Sequence, residues 1–242
     1  MKIEGRNAVY ELLKTDKTVD KLLAEDGLRD ERRAAILALC KERKIKVQFV
    51  SRAVMQKESE TGKCQGYIAY TSEFRYAELD EIIRLAAEKE GLVVALAGIE
   101  DPHNLGSILR VCECAGACGV IIPQRRSVQV TDTVVRVSEG AANHVPVARV
   151  TNLNQTLEEL KKNGFWITGA ELGGDNIYAS NLKGKLCIVI GGEDSGIPRL
   201  TKEKCDNIVT LPMFGSVNSL NASVACGIVL YEALRQRNNG GL

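Results

Sequence analysis

Two segments of the chain combine glycine with polar side chains in patterns that suit ligand chemistry. The first, DPHNLGSILR at 101–110, carries Asn104 and Arg110, and the planar guanidinium of an arginine matches phosphate oxygens. The second, IGGEDSGIPRL at 190–200, places Glu193 directly after two glycines, which let a ligand or another backbone approach closely. A solvent-exposed arginine and an acidic helix start are the structural alternatives.

A third segment, GSVNSLNASVACGI at 215–228, has more small hydrogen-bonding residues than a helix start requires. One or two serines or asparagines satisfy the free backbone N–H groups of a helix N-terminus. Ser219 and Asn221 belong to this surplus, so we expect some of these side chains to face a ligand. Helix capping by all of them is the alternative explanation.

Short apolar runs precede the three segments and indicate how they are positioned. The runs are apolar without alternation, which is typical of strands covered on both faces, and the helical stretches between them imply parallel crossovers. In such sheets ligands bind beyond the carboxyl ends of the strands, which is where the three segments lie. The predicted strands are 92–98, 119–123, 166–172, 186–192 and 207–213.

The helices in the first and third segments have predicted buried faces. The first helix gathers its apolar residues on one face, from which Arg110 points away. The last helix contains Gly227, which costs about 1 kcal/mol relative to alanine and so indicates close packing. The expected buried residues are Ile108, Val111, Cys112 and Ala115 in the first helix and Val224, Ile228, Tyr231 and Leu234 in the last.

The composition limits the class of protein. The 242 residues are enough for one or two domains with a hydrophobic core, and no apolar run approaches the ~20 residues of a membrane span. The eight cysteines are irregularly spaced in a chain that shows no secretory leader, which favours reduced thiols. We therefore expect a soluble, cytoplasmic protein. The net charge of +1 indicates no general nucleic-acid-binding surface.

The chain changes character near residue 72. Residues 1–72 mix short amphipathic helices with half-buried strands and carry 15 Lys and Arg against 11 Asp and Glu, which predicts a small α/β domain with a charged exterior. Residues 73–91 are expected to form a linker helix, ended by Gly91. Residues 92–242 form the predicted parallel-sheet domain. No metal site is expected, because Cys112 lies away from the helical face that Cys114 and Cys118 share.

The motifs DPHNLGSILR, IGGEDSGIPRL and LPMFGSVNSLNASVACGI resemble, in order and spacing, the three motifs of the SpoU (TrmH) family of ribose 2′-O-methyltransferases in the SPOUT superfamily. The likeness extends through the second part of the chain. EGRNAVYELL and CQGYIAY are similar to the small ribosomal-protein-like RNA-binding domain of members that make 2′-O-methylguanosine in large-subunit ribosomal RNA. Cys64 stands where relatives often have histidine.

This resemblance implies a fold, a cofactor and partners. The implied α/β fold is a parallel-sheet SPOUT domain whose C-terminal part forms a trefoil knot, preceded by the ribosomal-protein-like domain. S-adenosylmethionine is the implied cofactor, in contact with Gly191, Leu211 and Leu220. RNA is the implied substrate, with no membrane partner, and the implied assembly is a homodimer. The candidate RNA-binding residues are Arg6, Asn7 and Arg125.

The resemblance also implies a reaction centre. Its residues are Asn104, Arg110, Glu193, Ser219 and Asn221. Asn104 and Glu193 would orient Arg110, and a second chain would supply further partners of this arginine, while Ser219 and Asn221 would hold ribose or cofactor. Because a guanidinium keeps its proton in proteins, we expect Arg110 to bind the neighbouring phosphate and stabilise oxyanion charge rather than act as a base.

The predicted function is therefore transfer of a methyl group from S-adenosylmethionine to a ribose 2′-hydroxyl of RNA, on a guanosine of large-subunit ribosomal RNA. A transfer RNA substrate and a non-catalytic RNA-binding protein on the same scaffold are the alternatives. An ordinary nucleotide-binding enzyme is disfavoured, because the loop after the first strand of the sheet domain has Gly106 alone.

Overall fold

The computed structural model describes residues 2–15, 17, 19–71, 74–89, 91–193, 195–216 and 219–238. Contacts divide the chain into two units. The first unit is Met1–Arg75 with Val130–His144, and the second unit is Tyr76–Gln129 with Val145–Leu242. Within the described ranges, every helix is too short or too polar to span a membrane.

Helices and strands largely alternate along the chain, as in an α/β protein. Between residues 2 and 71 they are β1 (Lys2–Glu4), α1 (Arg6–Leu13), β2 (Val19–Glu25), α2 (Arg33–Glu42), β3 (Lys46–Val50), α3 (Arg52–Glu58) and β4 (Tyr67–Thr71). Then come α4 (Leu79–Lys89), β5 (Leu92–Ala97), α5 (Pro102–Cys114), β6 (Gly119–Pro123), α6 (Asp132–Val137) and β7 (Val147–Val150). The last are α7 (Leu153–Lys162), β8 (Trp166–Asn176), β9 (Leu186–Gly191), α8 (Arg199–Lys202), β10 (Asn207–Thr210) and α9 (Ala222–Arg237).

The first unit is built on a four-stranded mixed sheet in the order β1-β4-β2-β3. Strands β2 and β3 are parallel, and β4 is antiparallel to both β1 and β2. The carboxyl ends of β2 and β3 therefore lie at the same edge of this sheet. The apolar faces of α1 and α2 supply buried side chains to the core, among them Leu12 and Ile36.

Residues 130–144 belong to the first unit, although the sequence placed them in the second domain. The backbone N–H of Lys2 donates to Asp132 Oδ2 at 2.6 Å, which fastens α6 to β1. Burial raises the pKa of the Asp132 carboxyl. Lys17 Nζ donates to Asn143 Oδ1 at 2.9 Å. These contacts join residues far apart in the chain, so no local pattern of residues 92–242 could predict them.

The second unit is built on a six-stranded sheet in the order β10-β8-β9-β5-β6-β7. Every pair of neighbouring strands is parallel, which confirms the sequence prediction. Strand β5 is buried along its whole length, as expected for a strand covered on both faces. Strand β7 was not among the predicted strands, because its four residues form too short a run to stand out.

Helices cover both faces of this second sheet. On one face Ile82 and Ala86 of α4 and Leu157 and Leu160 of α7 pack into an apolar cluster of the unit. The helix predicted as a linker thus contributes buried side chains to the second unit. The predicted boundary at residues 72–73 lies outside the described residues. On the other face α5 and α9 pack against each other.

The buried face of α9 differs from the prediction. Ala222, Cys226, Val229, Leu230 and Ala233 are buried. Val224 and Tyr231, which the sequence placed in the core, are 50% and 51% exposed, and Ile228 is half-buried. The prediction was wrong because the apolar residues of this helix are spread around its axis, so its pattern does not select the face that meets the sheet. Val224 and Tyr231, together with the half-buried Ile228, form a partly exposed apolar stripe on this helix.

Candidate functional site

Three loops of the second unit, which follow β5, β9 and the edge strand β10, meet at the carboxyl ends of these strands. The loop after β5 leads into α5, where Asp101 caps the helix by accepting a hydrogen bond from the His103 backbone N–H at 3.0 Å. This cap places Asn104 in the first turn, where it is buried. The loops after β9 and β10 supply Glu193 and Asn221. The sheet thus positions all three predicted motifs at one edge.

A hydrogen-bonded network joins these three loops. Asn104 Nδ2 donates to Glu193 Oε1, and Asn104 Oδ1 accepts from Asn221 Nδ2 at 2.9 Å. Asn221 Oδ1 in turn accepts from the backbone N–H and the hydroxyl of Ser223, at 2.9 and 2.6 Å. The side-chain oxygen of Asn221 therefore caps α9, while its side-chain nitrogen donates to Asn104. Both the nitrogen and the oxygen of the Asn104 side-chain amide have hydrogen-bond partners, which fixes the orientation of that side chain.

A cavity of about 380 Å³ opens beside this network, and Glu193 belongs to its lining. Aliphatic side chains and glycine backbone make up much of the wall, and two carboxylates and a serine hydroxyl supply polar groups. These lining residues include Ile190, Leu211, Met213 and Leu220, Gly191, Gly192 and Gly196, Glu171 and Glu193, and Ser219. Gly191, Leu211 and Leu220, the predicted cofactor contacts, therefore line one cavity.

The lining suits a compact organic cofactor that carries positive charge. The volume lies within the range of roughly 300–1,000 Å³ usual for cofactor cavities. Aliphatic walls accommodate an aromatic base, and the carboxylate of Glu193 favours a cation over an anion, whereas the carboxylate of Glu171 is paired with Lys202. Among the residues that the structure describes, no three His, Cys, Asp or Glu side chains come together as metal ligands. The groups that line this cavity match an adenosyl sulfonium cofactor better than a metal or a free phosphate.

Arg110 stands apart from the network. It follows Asn104 by six positions on α5, which places it about 120° around the helix axis. Arg110 is exposed, and no hydrogen bond or ion pair joins it to another described residue of the chain. The sequence expected Asn104 and Glu193 to orient Arg110, but within one chain these two side chains bond to each other, and Asn104 also bonds to Asn221.

The helices α5 and α9 meet through small and apolar side chains next to Arg110. A Cβ atom added to Gly227 would lie 3.5 Å from Val111 Cγ2, so the helices pack against each other at this glycine. Cys112 and Cys226 contact each other in the same interface, and their hydrogen bond together with burial raises the pKa of the Cys112 thiol. The distance at Gly227 is an ordinary van der Waals contact, so the closer packing expected from the sequence at this glycine stays a prediction.

The first unit contains its own cavity, of about 470 Å³, at the carboxyl ends of β2 and β3. Arg6 and Arg52 belong to its lining, and the Nε atom of Arg6 is buried without a hydrogen-bond partner in the described residues. Gln65 adopts a left-handed backbone, φ 48°, and its Oε1 accepts from the Arg6 backbone N–H at 3.1 Å. Met55 and Cys64 add buried apolar groups to the lining.

The other predicted RNA contacts lie outside that cavity. Asn7 Nδ2 donates to Glu139 Oε2 at 3.4 Å, so this side chain also holds the segment that contains α6. Arg125 is exposed in the loop after β6. The sequence reasoning did not single out Glu171, Arg52 or Gln65. The rule that ligands bind at the carboxyl ends of strands could have found Glu171, which lies near the end of a predicted strand.

Comparisons with known proteins agree with these two sites. The model of the SpoU rRNA Methylase family matches residues 91–231. A second model, RNA 2′-O ribose methyltransferase substrate binding, matches residues 2–77. The second match covers most of the first unit, and the first match covers most of the second unit together with residues 130–144, which belong to the first unit.

Similar proteins cover almost the whole chain. A protein of Staphylococcus haemolyticus (strain JCSC1435) named as a TrmH family tRNA/rRNA methyltransferase is 45% identical over 244 residues, 99% of this chain and 97% of that protein. YacO of Bacillus subtilis (strain 168), named likewise, is 44% identical and covers 98% of this chain and 96% of its own. The crystal structure of the SpoU methyltransferase AviRb from Streptomyces viridochromogenes with AdoMet superposes with a TM-score of 0.84 at 23% identity, covering 99% of this chain and 91% of that one.

The parallel sheet with a cavity at its carboxyl edge, the methylase family match and the substrate-binding match identify an RNA methyltransferase that uses S-adenosylmethionine. The chain belongs to the SpoU rRNA methylase family, also known as the TrmH type.

Proposed function

We propose that the protein methylates a ribose 2′-hydroxyl of RNA, on a guanosine of large-subunit ribosomal RNA. The observation that carries the proposal is the network of Glu193, Asn104 and Asn221 at the edge of the cofactor cavity, because it presents fixed polar groups where a substrate hydroxyl would have to meet the cofactor. The model that matches residues 2–77 describes binding of a 2′-O ribose methylation substrate. The family description names ribosomal RNA.

The chain's own residues hold the reactants and stabilise charge. S-adenosylmethionine, when bound, supplies a methyl group activated on a positively charged sulfur. Gly191, Leu211 and Leu220 would hold it and exclude water, which favours a reaction in which charge is neutralised. Ser219 would bind the ribose at the cavity wall, and the Asn104 network would keep Glu193 and Asn221 in place. Such alignment lowers the barrier by several kcal/mol, within the ~7–11 kcal/mol available from orientation.

Arg110 would act on the RNA rather than on the cofactor. A guanidinium stays protonated in proteins, so Arg110 would hold the adjacent phosphate and stabilise negative charge as the 2′-hydroxyl loses its proton. Its exposed position, free of partners among the described residues, leaves it available for this contact.

We also propose that the protein is a homodimer in which Arg110 completes the site of the second copy. The partly exposed stripe of Val224, Ile228 and Tyr231 lies on α9, beside the helix that carries Arg110. A stripe of this kind on a soluble helix is expected to be covered. A second copy of the chain would cover this stripe. It would also bring Arg110 of one copy to the network of Glu193, Asn104 and Asn221 of the other copy.

The proposed RNA contacts lie in both units. Arg6, Asn7 and Arg52 would bind the substrate at the first unit, where Arg6 and Arg52 line a cavity and Arg6 Nε has no partner among the described residues. Arg125 of the second unit would add a backbone contact. Arginine suits both phosphate oxygens and unpaired bases.

Two further features belong to this proposal. The C-terminal part would be threaded as a trefoil knot, which is supported by the position of β9 between β5 and β8 and by the return of α9 against β9 after the edge strand β10. The protein would act in the cytoplasm, where bacterial RNA is modified.

The experiment is transfer of labelled methyl from S-adenosylmethionine to total RNA from cells that lack the protein, followed by nuclease digestion and nucleoside analysis. We expect 2′-O-methylguanosine, recovered from the large-subunit ribosomal RNA fraction. Label in transfer RNA would replace the ribosomal substrate by the other candidate. Label on a base would overturn ribose methylation, and no label in RNA or in ribosomal particles would favour a non-catalytic RNA-binding protein.

A further inference from the structure

The loop that presents Glu193 is a tight turn closed by its own backbone. The N–H of Gly192 donates to the carbonyl of Gly196 at 3.2 Å, and the N–H of Gly196 donates back at 3.1 Å. A Cβ atom on Gly191 would lie 2.3 Å from the carbonyl carbon of Gly196, so the two arms of the turn are in direct backbone contact. Gly191, Gly192 and Gly196 all line the cofactor cavity. The position of this turn therefore sets part of the cavity wall.

A carboxylate from another strand holds the far arm of the turn. Glu171 Oε2 accepts a hydrogen bond from the Ile197 backbone N–H at 3.0 Å. Glu171 Oε1 accepts from Lys202 Nζ of α8 at 2.5 Å. The same carboxyl group lies within 3.5 Å of where a Gly196 Cβ would stand, so it packs directly against the turn. One side chain thus joins β8, the turn and α8.

The backbone of β8 is shaped to bring Glu171 there. Its pairing with β10 runs from Ile208 opposite Gly169 directly to Val209 opposite Asp175, so residues 170–174 leave the ladder. A Cβ atom on Gly174 would lie 2.4 Å from the Ile208 carbonyl oxygen, so the backbone of β8 is again in close contact with β10 at this glycine. The excursion carries Glu171 to the cavity wall.

We propose that Glu171 is a positioning residue for cofactor binding: by holding the Ile197 N–H and Lys202, its carboxylate fixes the turn at 192–197 and with it the cavity wall and Glu193. A charged acceptor makes a stronger hydrogen bond to a backbone N–H than a neutral one. Two partners at once hold the carboxyl group in a single orientation, so the turn is preorganised before the cofactor arrives. This inference rests on the proposed function only in taking the cavity as the cofactor site.

The chain offers a matched control. Glu158 of α7 forms an ion pair with Lys204 at 2.9 Å. Like the Glu171 pair, this pair joins a carboxylate to a lysine near α8, and Glu158 is not among the residues that line the cavity. Glu158→Ala therefore removes a comparable ion pair without touching the turn.

The test is equilibrium binding of S-adenosylmethionine and S-adenosylhomocysteine to the purified full-length protein by titration calorimetry, without RNA. We expect Glu171→Ala to weaken binding of both ligands about tenfold or more. Glu171→Gln keeps a side-chain oxygen for the Ile197 N–H and should stay within about threefold of the unmodified protein. Glu158→Ala should bind both ligands as the unmodified protein does. Circular dichroism and thermal melting compare the folding of the variants.

Two results would overturn the proposal. One is unchanged cofactor affinity in Glu171→Ala, and the other is an equal loss in Glu158→Ala, which would show a general effect of losing an ion pair. If Glu171→Ala does not fold, Lys202→Met replaces it, since that variant keeps the Ile197 bond and should weaken binding about threefold; unchanged affinity would then count against the proposal. Failure of the proposed function has a different signature, which is absence of methyl transfer to RNA by the unmodified protein while it binds the cofactor.

Discussion

The cavities of the two units differ in the charge they present. Among the described residues that line the cavity of the second unit, the charged side chains are Glu193 and Glu171, the latter paired with Lys202, set among aliphatic groups and glycine backbone. In the first unit the arginines Arg6 and Arg52 stand beside two carboxylates. The first arrangement suits a small cation, and the second provides cationic groups for a polyanion. The difference teaches that cofactor binding and RNA binding are separable, so substitutions in one cavity should leave the other ligand's affinity unchanged.

The largest expected effect on methyl transfer comes from replacing Arg110, which lines neither cavity within a single chain. Arg110→Ala should lower methyl transfer about 10²- to 10³-fold, since a fixed cation no longer stabilises the oxyanion. Cofactor affinity, measured by calorimetry, should change by less than about twofold, because the side chain does not line that cavity. A loss of cofactor binding in this variant would show that the residue is misassigned.

Mixed dimers decide whether Arg110 serves the site of the second copy. Arg110→Ala and Asn104→Ala are each expected to be inactive, the latter because Glu193 and Asn221 lose their common partner. If the sites are shared between chains, a 1:1 mixture should regain about a quarter of normal activity, since half of the dimers are mixed and each has one intact site. Activity is measured after subunit exchange. No recovery in exchanged dimers would assign Arg110 to its own chain.

The first unit should control RNA affinity alone. Arg6→Ala and Arg52→Ala are each expected to weaken RNA binding about tenfold and to reduce the slope of log affinity against log salt by about one. The cofactor affinity should not change. Filter binding over a salt series measures the effect, and Lys14→Ala is the control, because Lys14 directly follows α1 but pairs with Glu11 outside the cavity. Equal losses in all three variants would indicate a general charge effect.

The smallest expected effect concerns Glu4, whose buried carboxylate holds the loop next to the first unit's cavity. It accepts hydrogen bonds from Ser59, Thr61 and the backbone N–H of Glu60. Burial by itself raises the pKa of Glu4, but these hydrogen bonds outweigh it, so the pKa lies below the ordinary 4.5. A carboxyl whose pKa is lowered by folding stabilises the protein above its ordinary pKa, and this stabilisation is lost as the pH falls through the lowered value.

Glu4→Gln should therefore lower the free energy of unfolding by about 1 kcal/mol at pH 7. Below the lowered pKa the difference from the unmodified protein should shrink, because Glu4 is then protonated as well. Urea unfolding at pH 7 and at acid pH measures both differences, and Glu60→Gln at the exposed neighbouring position serves as control. A difference that stays constant with pH would show that the charge of Glu4 does not contribute.

The loops of the cofactor site were predictable, but the face of α9 was not. The strands of the second sheet are short apolar runs, and parallel sheets bring their carboxyl ends to one edge, so Glu193 and Asn221 could be expected near Asn104. In α9 the apolar residues are spread around the helix axis, so periodicity has little contrast from which to choose a buried face. Whether Val224 and Tyr231 or Val229 and Leu230 are buried depends on which side meets the sheet.

By itself the sequence determined the α/β class, the parallel sheet and the three loops, because each depends on local patterns of apolar, glycine and polar residues, and its resemblance to a family pointed to three of the residues that line the cavity of the second unit. Only the tertiary structure decided that Asn104 joins Glu193 to Asn221, that Arg110 stands apart, that Glu171 holds the turn at 192–197, and that residues 130–144 belong to the first unit. These features join residues distant in the chain. Their distances follow from how helices and strands pack, and no local pattern encodes that packing.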